Sequence, residues 1–202
     1  MIAIVDYGVG NLFSLRASLN RLGIQSAVTG DKTALKKAEK LILPGVGAFG
    51  DAAQKLKDAG LFALLQEQAK SGKPMLGICL GMQLLFEKSY EYGEHEGLGL
   101  IPGTVRPLEA DIPKGLKVPH MGWNSLRIVK DDPVLKYLKP GDHMYFVHSF
   151  YAKDCADSLL ADAEYAVFVP ALVRKGAVWG AQFHPEKSGP AGLSFLKAFG
   201  EL

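Results

Sequence analysis

The stretch Lys73-Pro74-Met75-Leu76-Gly77-Ile78-Cys79-Leu80-Gly81-Met82-Gln83-Leu84-Leu85-Phe86-Glu87 decides how the rest of the chain is read. Pro74 to Ile78 is a short apolar run with proline at its start, the pattern of a buried strand. Leu80 to Glu87 places Leu80, Leu84 and Leu85 at helical spacing. Between them lies Gly77-Ile78-Cys79-Leu80-Gly81, a G-x-C-x-G. A strand that turns into a helix this abruptly leaves no room for side chains beside the turn, hence two glycines. The turn drives the middle side chain out over the sheet, as in a nucleophile elbow, here with Cys in place of Ser. It also sets that thiol at a helix N-terminus, where a thiolate is favoured. A buried structural cysteine is the competing reading of Cys79 taken alone.

Working outward, the first 87 residues alternate strand and helix. Ile2–Val5, Gln25–Val28, Leu41–Leu43 and Pro74–Ile78 read as strands. Leu12–Leu22, Asp31–Ala38, Asp51–Ala59 and Leu61–Ala69 read as helices, with Gly23 and Gly60 as stops. Strands apolar on both faces and joined by helices imply an open parallel sheet with right-handed crossovers. Beyond a charged loop, Lys88–Gly99, short runs punctuated by Pro, Gly and Asp predict a mainly β, partly antiparallel second half, closed by a helix over Gly189–Phe199. The expectation is one α/β domain spanning residues 1–202, a flavodoxin-like, mostly parallel sheet flanked by helices, with extra antiparallel strands in the C-terminal half.

With 202 residues, 48% of them apolar and 22% charged, the composition is that of an ordinary globular domain. A net charge of +2 with interspersed signs leaves no footprint for nucleic acid. No apolar run approaches the length of a membrane span, and the N-terminus reads as a first strand and not a signal peptide. Cys79 and Cys155 sit in dissimilar contexts and suggest no disulfide, so a reducing cytoplasm is the expected compartment. No Cys or His spacing suggests a metal, and no cofactor is implied.

A nucleophilic cysteine needs a base, and the base needs an orienting group. Of five histidines, His95 lies in the charged loop and reads as solvated. His120 and His143 lack an acidic neighbour at a telling spacing. His148 alternates with Phe146 and Phe150 and reads as a satisfied core residue at least as well as a ligand. His184 follows the run Val178–Phe183 and precedes Pro185-Glu186, so a carboxylate two residues on can fold back to the imidazole. Cys79 and His184 both fall at carboxyl ends of strands, where open parallel sheets build their sites. Gly45-Val46-Gly47-Ala48-Phe49-Gly50 matches G-x-G-x-x-G. A dinucleotide fingerprint is one reading, but the match is on the third strand–helix unit and no acid follows at a strand end. Backbone amides for a developing oxyanion, beside that of Leu80, fit better.

Assembled, these residues resemble the class I, triad-type glutamine amidotransferases, through Gly77-Ile78-Cys79-Leu80-Gly81-Met82-Gln83 and His184-Pro185-Glu186. Pro44–Gly50, Gly81–Glu87, Pro119-His120-Met121-Gly122-Trp123-Asn124 and Phe183–Ser188 are similar, more narrowly, to the glutaminase subunits of imidazole glycerol phosphate synthases. The resemblance implies Cys79 as nucleophile, His184 as base and then acid, and Glu186 as its orienting carboxylate. It implies oxyanion amides at Gly45, Val46 and Leu80, with a peptide rotation completing the hole. It implies glutamine contacts at Gly47, Gln83, Ser149 and Phe150, the last a position where tyrosine is common. It also implies a partner, a (β/α)8 cyclase subunit that receives the ammonia. Asn11, Trp123, Asn124, Tyr145 and Lys187 flank the mouth and are the candidates for that interface, although Trp123, read as a strand residue alone, points to the core. Rival readings are the glutaminase of another pathway and a non-catalytic flavodoxin-like binding module.

Overall fold

A computed structural model describes residues 1–202. Alternation along the buried strands sorts side chains to two faces of one sheet. Ala3, Val5, Leu41, Leu43 and Met75 point to one side, where the helices Phe49–Asp58 and Phe62–Lys70 bury Phe49, Leu56, Leu64 and Leu65. Ile2, Ile4, Ile42, Leu76 and Ile78 point to the other, against Leu15 and Leu19 of the helix Leu12–Arg21 and Phe195, Leu196 and Phe199 of the helix Gly189–Gly200. Strands apolar on both faces thus lie between two helical layers, as the parallel reading requires.

The eight-stranded sheet runs, edge to edge, Ser26–Thr29, Ile2–Val5, Lys40–Leu43, Met75–Ile78, Val178–Ala181, Val167–Lys175, Leu159–Tyr165 and Arg127–Ile128. The first five are mutually parallel and the last three pair antiparallel. A ribbon of His120–Ser125 and His143–His148, and a four-stranded sheet of Phe150–Lys153, Thr104–Pro107, Lys88–Ser89 and His95–Glu96, complete the β-rich half. No helix is long and apolar enough to cross a membrane.

Three differences from the sequence reading stand out. The helix after Cys79 spans only Leu80–Leu84. Its continuation is stopped because the amides of Leu98, Gly99, Leu100 and Ile101 take the carbonyls of Leu84, Phe86 and Leu85 that a longer helix would use. Leu159–Tyr165, passed over in sequence, is a seven-residue strand. The residues on both sides of Pro170, where a proline in sequence predicts a break between short runs, form one strand, Val167–Lys175. Its pairing with Val178–Ala181 covers only Leu172–Lys175, so the missing N–H of Pro170 falls outside it.

Candidate active site

Three adjacent parallel strands, Lys40–Leu43, Met75–Ile78 and Val178–Ala181, end at the same edge and release Pro44–Gly47, Cys79 and Gln182–His184. The elbow between them is tight. A Cβ on Gly81 would collide with the Leu43 carbonyl, and one on Gly77 with the Gly81 carbonyl. Cys79 itself carries φ +55 and ψ −113, a conformation that costs an L residue roughly 1–3 kcal/mol. Its amide is pinned to the Ala181 carbonyl at 2.7 Å. The strain is therefore held by the sheet, and it presents the thiol to a cavity of about 300 Å³.

His184 shares that cavity's wall and is only 2% exposed. Its Nδ1 lies 2.9 Å from Oε1 of Glu186, whose side chain is also buried. Because a carboxylate only accepts, Nδ1 carries the proton and donates it. Nε2 is buried without a conventional partner and is free for the thiol. Burial pulls the imidazole's pKa down, but Cys79 and Glu186 together outweigh it and push it up to about 9. His184 is thus held as an imidazolium beside the Cys79 sulfur across neutral pH. Asn11 Nδ2 reaches the same Glu186 oxygen at 3.5 Å. Ser188 fastens the turn: its hydroxyl donates to the His184 carbonyl at 2.6 Å and accepts the Tyr145 amide at 2.9 Å.

The cavity is lined by Val46, Gly47, Leu80, Gln83, Ser149 and Phe150 together with Cys79 and His184. Gly45 lies just behind, where a Cβ would press on the Gly81 amide and the Tyr7 hydroxyl. The Leu80 amide, first in its helix, has no intrahelical acceptor and is available to an anion. Gln83 donates through Nε2 to the Phe150 carbonyl at 3.0 Å and to Oε1 of Gln182 at 3.1 Å, so its own Oε1 is the free end.

Some residues escaped the sequence reading. Glu91 lines the cavity, and its carboxylate takes the Phe49 amide at 2.6 Å. Burial raises its pKa first, and the Phe49 amide opposes that. Nothing in the charged loop signals this, because the contact depends on how Lys88–Gly99 folds back on the glycine loop. His95, expected in solvent, is half-buried with its ring packed over Gly50. His148 lines the cavity and is satisfied at both nitrogens.

Of the interface candidates, Trp123 is 55% exposed, so its core reading does not hold. It meets Tyr145 edge-on at 6.1 Å, and Lys187 lies over the Tyr145 ring at 5.9 Å. Asn11 is turned to Glu186. Asn124 is turned inward, donating to His120 and to the Glu164 carbonyl and accepting the Ser125 amide. Phe13, Val46 and Met121 are likewise exposed apolar side chains.

The family described as glutamine amidotransferase class-I matches residues 3–201. A protein of Caldanaerobacter subterraneus subsp. tengcongensis named imidazole glycerol phosphate synthase subunit HisH is 50% identical, covering 100% of this chain and 98% of its own. Proteins of the same name from Bacillus licheniformis and Lactococcus lactis are 51% and 50% identical, each over 98% of this chain and over 95% and 96% of their own. Among solved structures, one described as a glutamine amidotransferase superposes with a TM-score of 0.76 at 21% identity over 98% of both chains. The structure of PurLQS from Thermotoga maritima gives 0.74 at 21% identity over 98% of this chain and 96% of its own. At such identities these two speak for the fold alone, whereas the full-length relatives and the family match speak for descent. The chain belongs to the class I glutamine amidotransferase family.

Proposed function

We propose that this chain is the glutaminase subunit of an imidazole glycerol phosphate synthase, acting in histidine biosynthesis, with residues 1–202 working as one glutaminase domain. Relatives of that name at about half identity over the full length support the assignment. The single observation that carries the chemistry is a strained cysteine on the wall of one cavity with a histidine that is paired from behind by Glu186.

Cys79 Sγ attacks the side-chain carbonyl carbon of L-glutamine. The carbonyl oxygen becomes an oxyanion held by the Leu80 amide and an amide of the Gly45–Gly47 segment. His184 gives its Nε2 proton to the amide nitrogen, the C–N bond breaks, and ammonia leaves. A γ-glutamyl thioester remains on Cys79. His184 then takes a proton from water, hydroxide adds to the thioester, and glutamate departs as the C–S bond breaks. Glu186 keeps His184 in the tautomer that leaves Nε2 toward sulfur. At the other end of glutamine, Glu91 is the one carboxylate on the cavity wall and complements the α-ammonium. Gly47, Gln83, Ser149 and Phe150 hold the rest of the amino-acid end. Phe150 cannot supply a ring hydroxyl contact.

Ammonia set free in water is protonated and lost as a nucleophile. The face carrying Trp123, Tyr145 and Lys187, with Met121, therefore meets a (β/α)8 cyclase subunit. An exposed Trp and Tyr are suited to anchor such an interface. Two free cysteines fit a cytoplasmic setting. The β-branched Val46 in the glycine loop resists rotation of its peptide. Glutaminase activity is accordingly weak alone and rises with liganded cyclase. The test is glutamate release by the chain alone, with cyclase, and with cyclase plus its ribonucleotide ligand. Release mainly in the third mixture supports the whole reading. Full speed alone removes the gating, and release in none of them removes the function.

A further inference from the structure

The strand His120–Ser125 alternates in an inverted sense. Met121 and Trp123, 61% and 55% exposed, face outward, while the polar His120 and Asn124 face in. Buried polar atoms must find partners, and here the partners can be followed one by one. The Phe150 carbonyl only accepts, so His148 Nδ1, at 2.9 Å, must donate to it. His148 Nε2 is then an acceptor, and His120 Nδ1, 2.9 Å away, must be its donor. That leaves His120 Nε2 to accept from Asn124 Nδ2 at 3.2 Å. Both rings are neutral at neutral pH, since burial pulls His120 to about 4 and His148 to about 3. The His120 ring is stacked between Phe146 and Tyr165, at 4.9 and 4.2 Å, and cannot swing away.

The same Phe150 carbonyl takes Gln83 Nε2, and Gln83 is joined to Gln182, whose Nε2 lies 3.9 Å from Cys79 Sγ. Each bond from Asn124 to the Phe150 carbonyl points one way, so the chain has a single hydrogen-bonded arrangement. It starts on the back of the strand whose front presents Trp123 and ends beside the nucleophile.

We propose that His120 is a positioning residue, which through His148 and the Phe150 carbonyl ties the partner-facing strand to Gln83, Gln182 and Cys79. It rests on the glutaminase reading above. It deepens that reading by naming the route through which a shift of the docked strand is felt in the glutamine pocket. Movement of the strand by the partner changes the His120–His148 contact, and the Gln83 amide follows because it shares an acceptor with His148.

The test uses the assembled heterodimer and the stimulation ratio, glutamate release with ribonucleotide-liganded cyclase over release with unliganded cyclase. His120→Phe keeps the ring stack and removes both nitrogens. We expect its ratio to fall about tenfold, within the usual span of coupling between sites. His120→Asn retains a donor at the Nδ1 position toward His148 but loses the acceptor toward Asn124, and is expected to restore the ratio in part, to about the level of Asn124→Ala. Asn124→Ala lowers the ratio too, and adds nothing on top of His120→Phe, because the chain is already cut. A loss of stability alone scales both states and leaves the ratio unmoved. A wild-type ratio in His120→Phe, an equal loss in His120→Asn, or additive losses in the double variant each overturn the relay while leaving the glutaminase standing. If His120→Phe does not fold, a wild-type ratio in Asn124→Ala overturns it in the same way. A wild-type heterodimer that releases no glutamate removes the glutaminase reading, and this proposal with it.

Discussion

Cys79 and Cys155 are buried to nearly the same extent, at 7% and 6% exposed, yet they sit in opposite chemical settings. Cys155 packs into the core cluster under the Phe150–Lys153 strand. Burial, and then Asp154, push its thiol up to about 11 with no histidine acting on it, and it does not line the cavity that Cys79 faces. Cys79 faces a 300 Å³ cavity, with Gln182 Nε2 beside its sulfur and a His184 that it helps to raise. Burial alone therefore says nothing about a thiol's role. What separates the two is a cation held within reach and an opening for substrate.

That contrast can be broken or sharpened in four ways. The largest effect belongs to the side chains themselves. Cys79→Ala should lower glutaminase turnover at least about 10⁴-fold, whereas Cys155→Ala should stay within about twofold. Steady-state glutamate release with liganded cyclase measures both. Next, Glu186→Gln should cost about a hundredfold in kcat. It removes one of the influences that raise His184, so the alkaline limb of the kcat/KM profile should move down from about 9. The sign also runs through stability. A histidine raised in the folded state stabilises it fully below the unfolded value near 6.5, and that contribution is lost as pH climbs through about 9. Wild-type melting temperature should thus fall over that window more steeply than that of Glu186→Gln.

Third, a glutamine-like alkylator at neutral pH should label Cys79 about a hundred times faster than Cys155, given the raised thiol of Cys155 and the access that the cavity gives Cys79. Peptide mapping of the adduct reads it directly, and comparable rates would erase the contrast. The smallest effect is on stability. Cys79→Gly relieves the positive φ and should stabilise by about 1 kcal/mol, while Cys155→Ala leaves a small void and should destabilise by about 1 kcal/mol. Opposite signs in denaturant midpoints would mark one cysteine as strained for function and the other as packed for structure.

The same contrast explains what was legible beforehand. The elbow could be read from five residues because close approach of backbone to backbone forbids Cβ atoms at Gly77 and Gly81, and that prohibition is local. The parallel sheet was legible for a related reason. Strands buried on both faces need apolar residues at successive positions, and Ile2–Val5 and Leu41–Leu43 supply them. His184 and Glu186 were legible as a pair two residues apart. Glu91 and Gln182 were not, because each gains its place from a segment far away in sequence, whereas His148 is the satisfied buried residue that its alternation suggested. Glu91 belongs to the cavity only once Lys88–Gly99 folds onto Phe49. The strand Leu159–Tyr165 was passed over because Asp162 interrupts its apolar pattern. That aspartate is buried, held by the Arg127 guanidinium through two hydrogen bonds at 2.8 and 2.6 Å. Asn124 was expected beside Trp123 among the interface candidates and is turned inward instead, since alternation alone does not say which side of a two-stranded ribbon meets solvent.

The most direct test of the central claim is acid quenching of the heterodimer, with liganded cyclase, during turnover of glutamine, followed by mass spectrometry of the two cysteine peptides. The account predicts a γ-glutamyl adduct on the peptide carrying Cys79, absent in Cys79→Ala, and none on the peptide carrying Cys155. Glutamate formed at full rate by Cys79→Ala, or an adduct on Cys155, would contradict it.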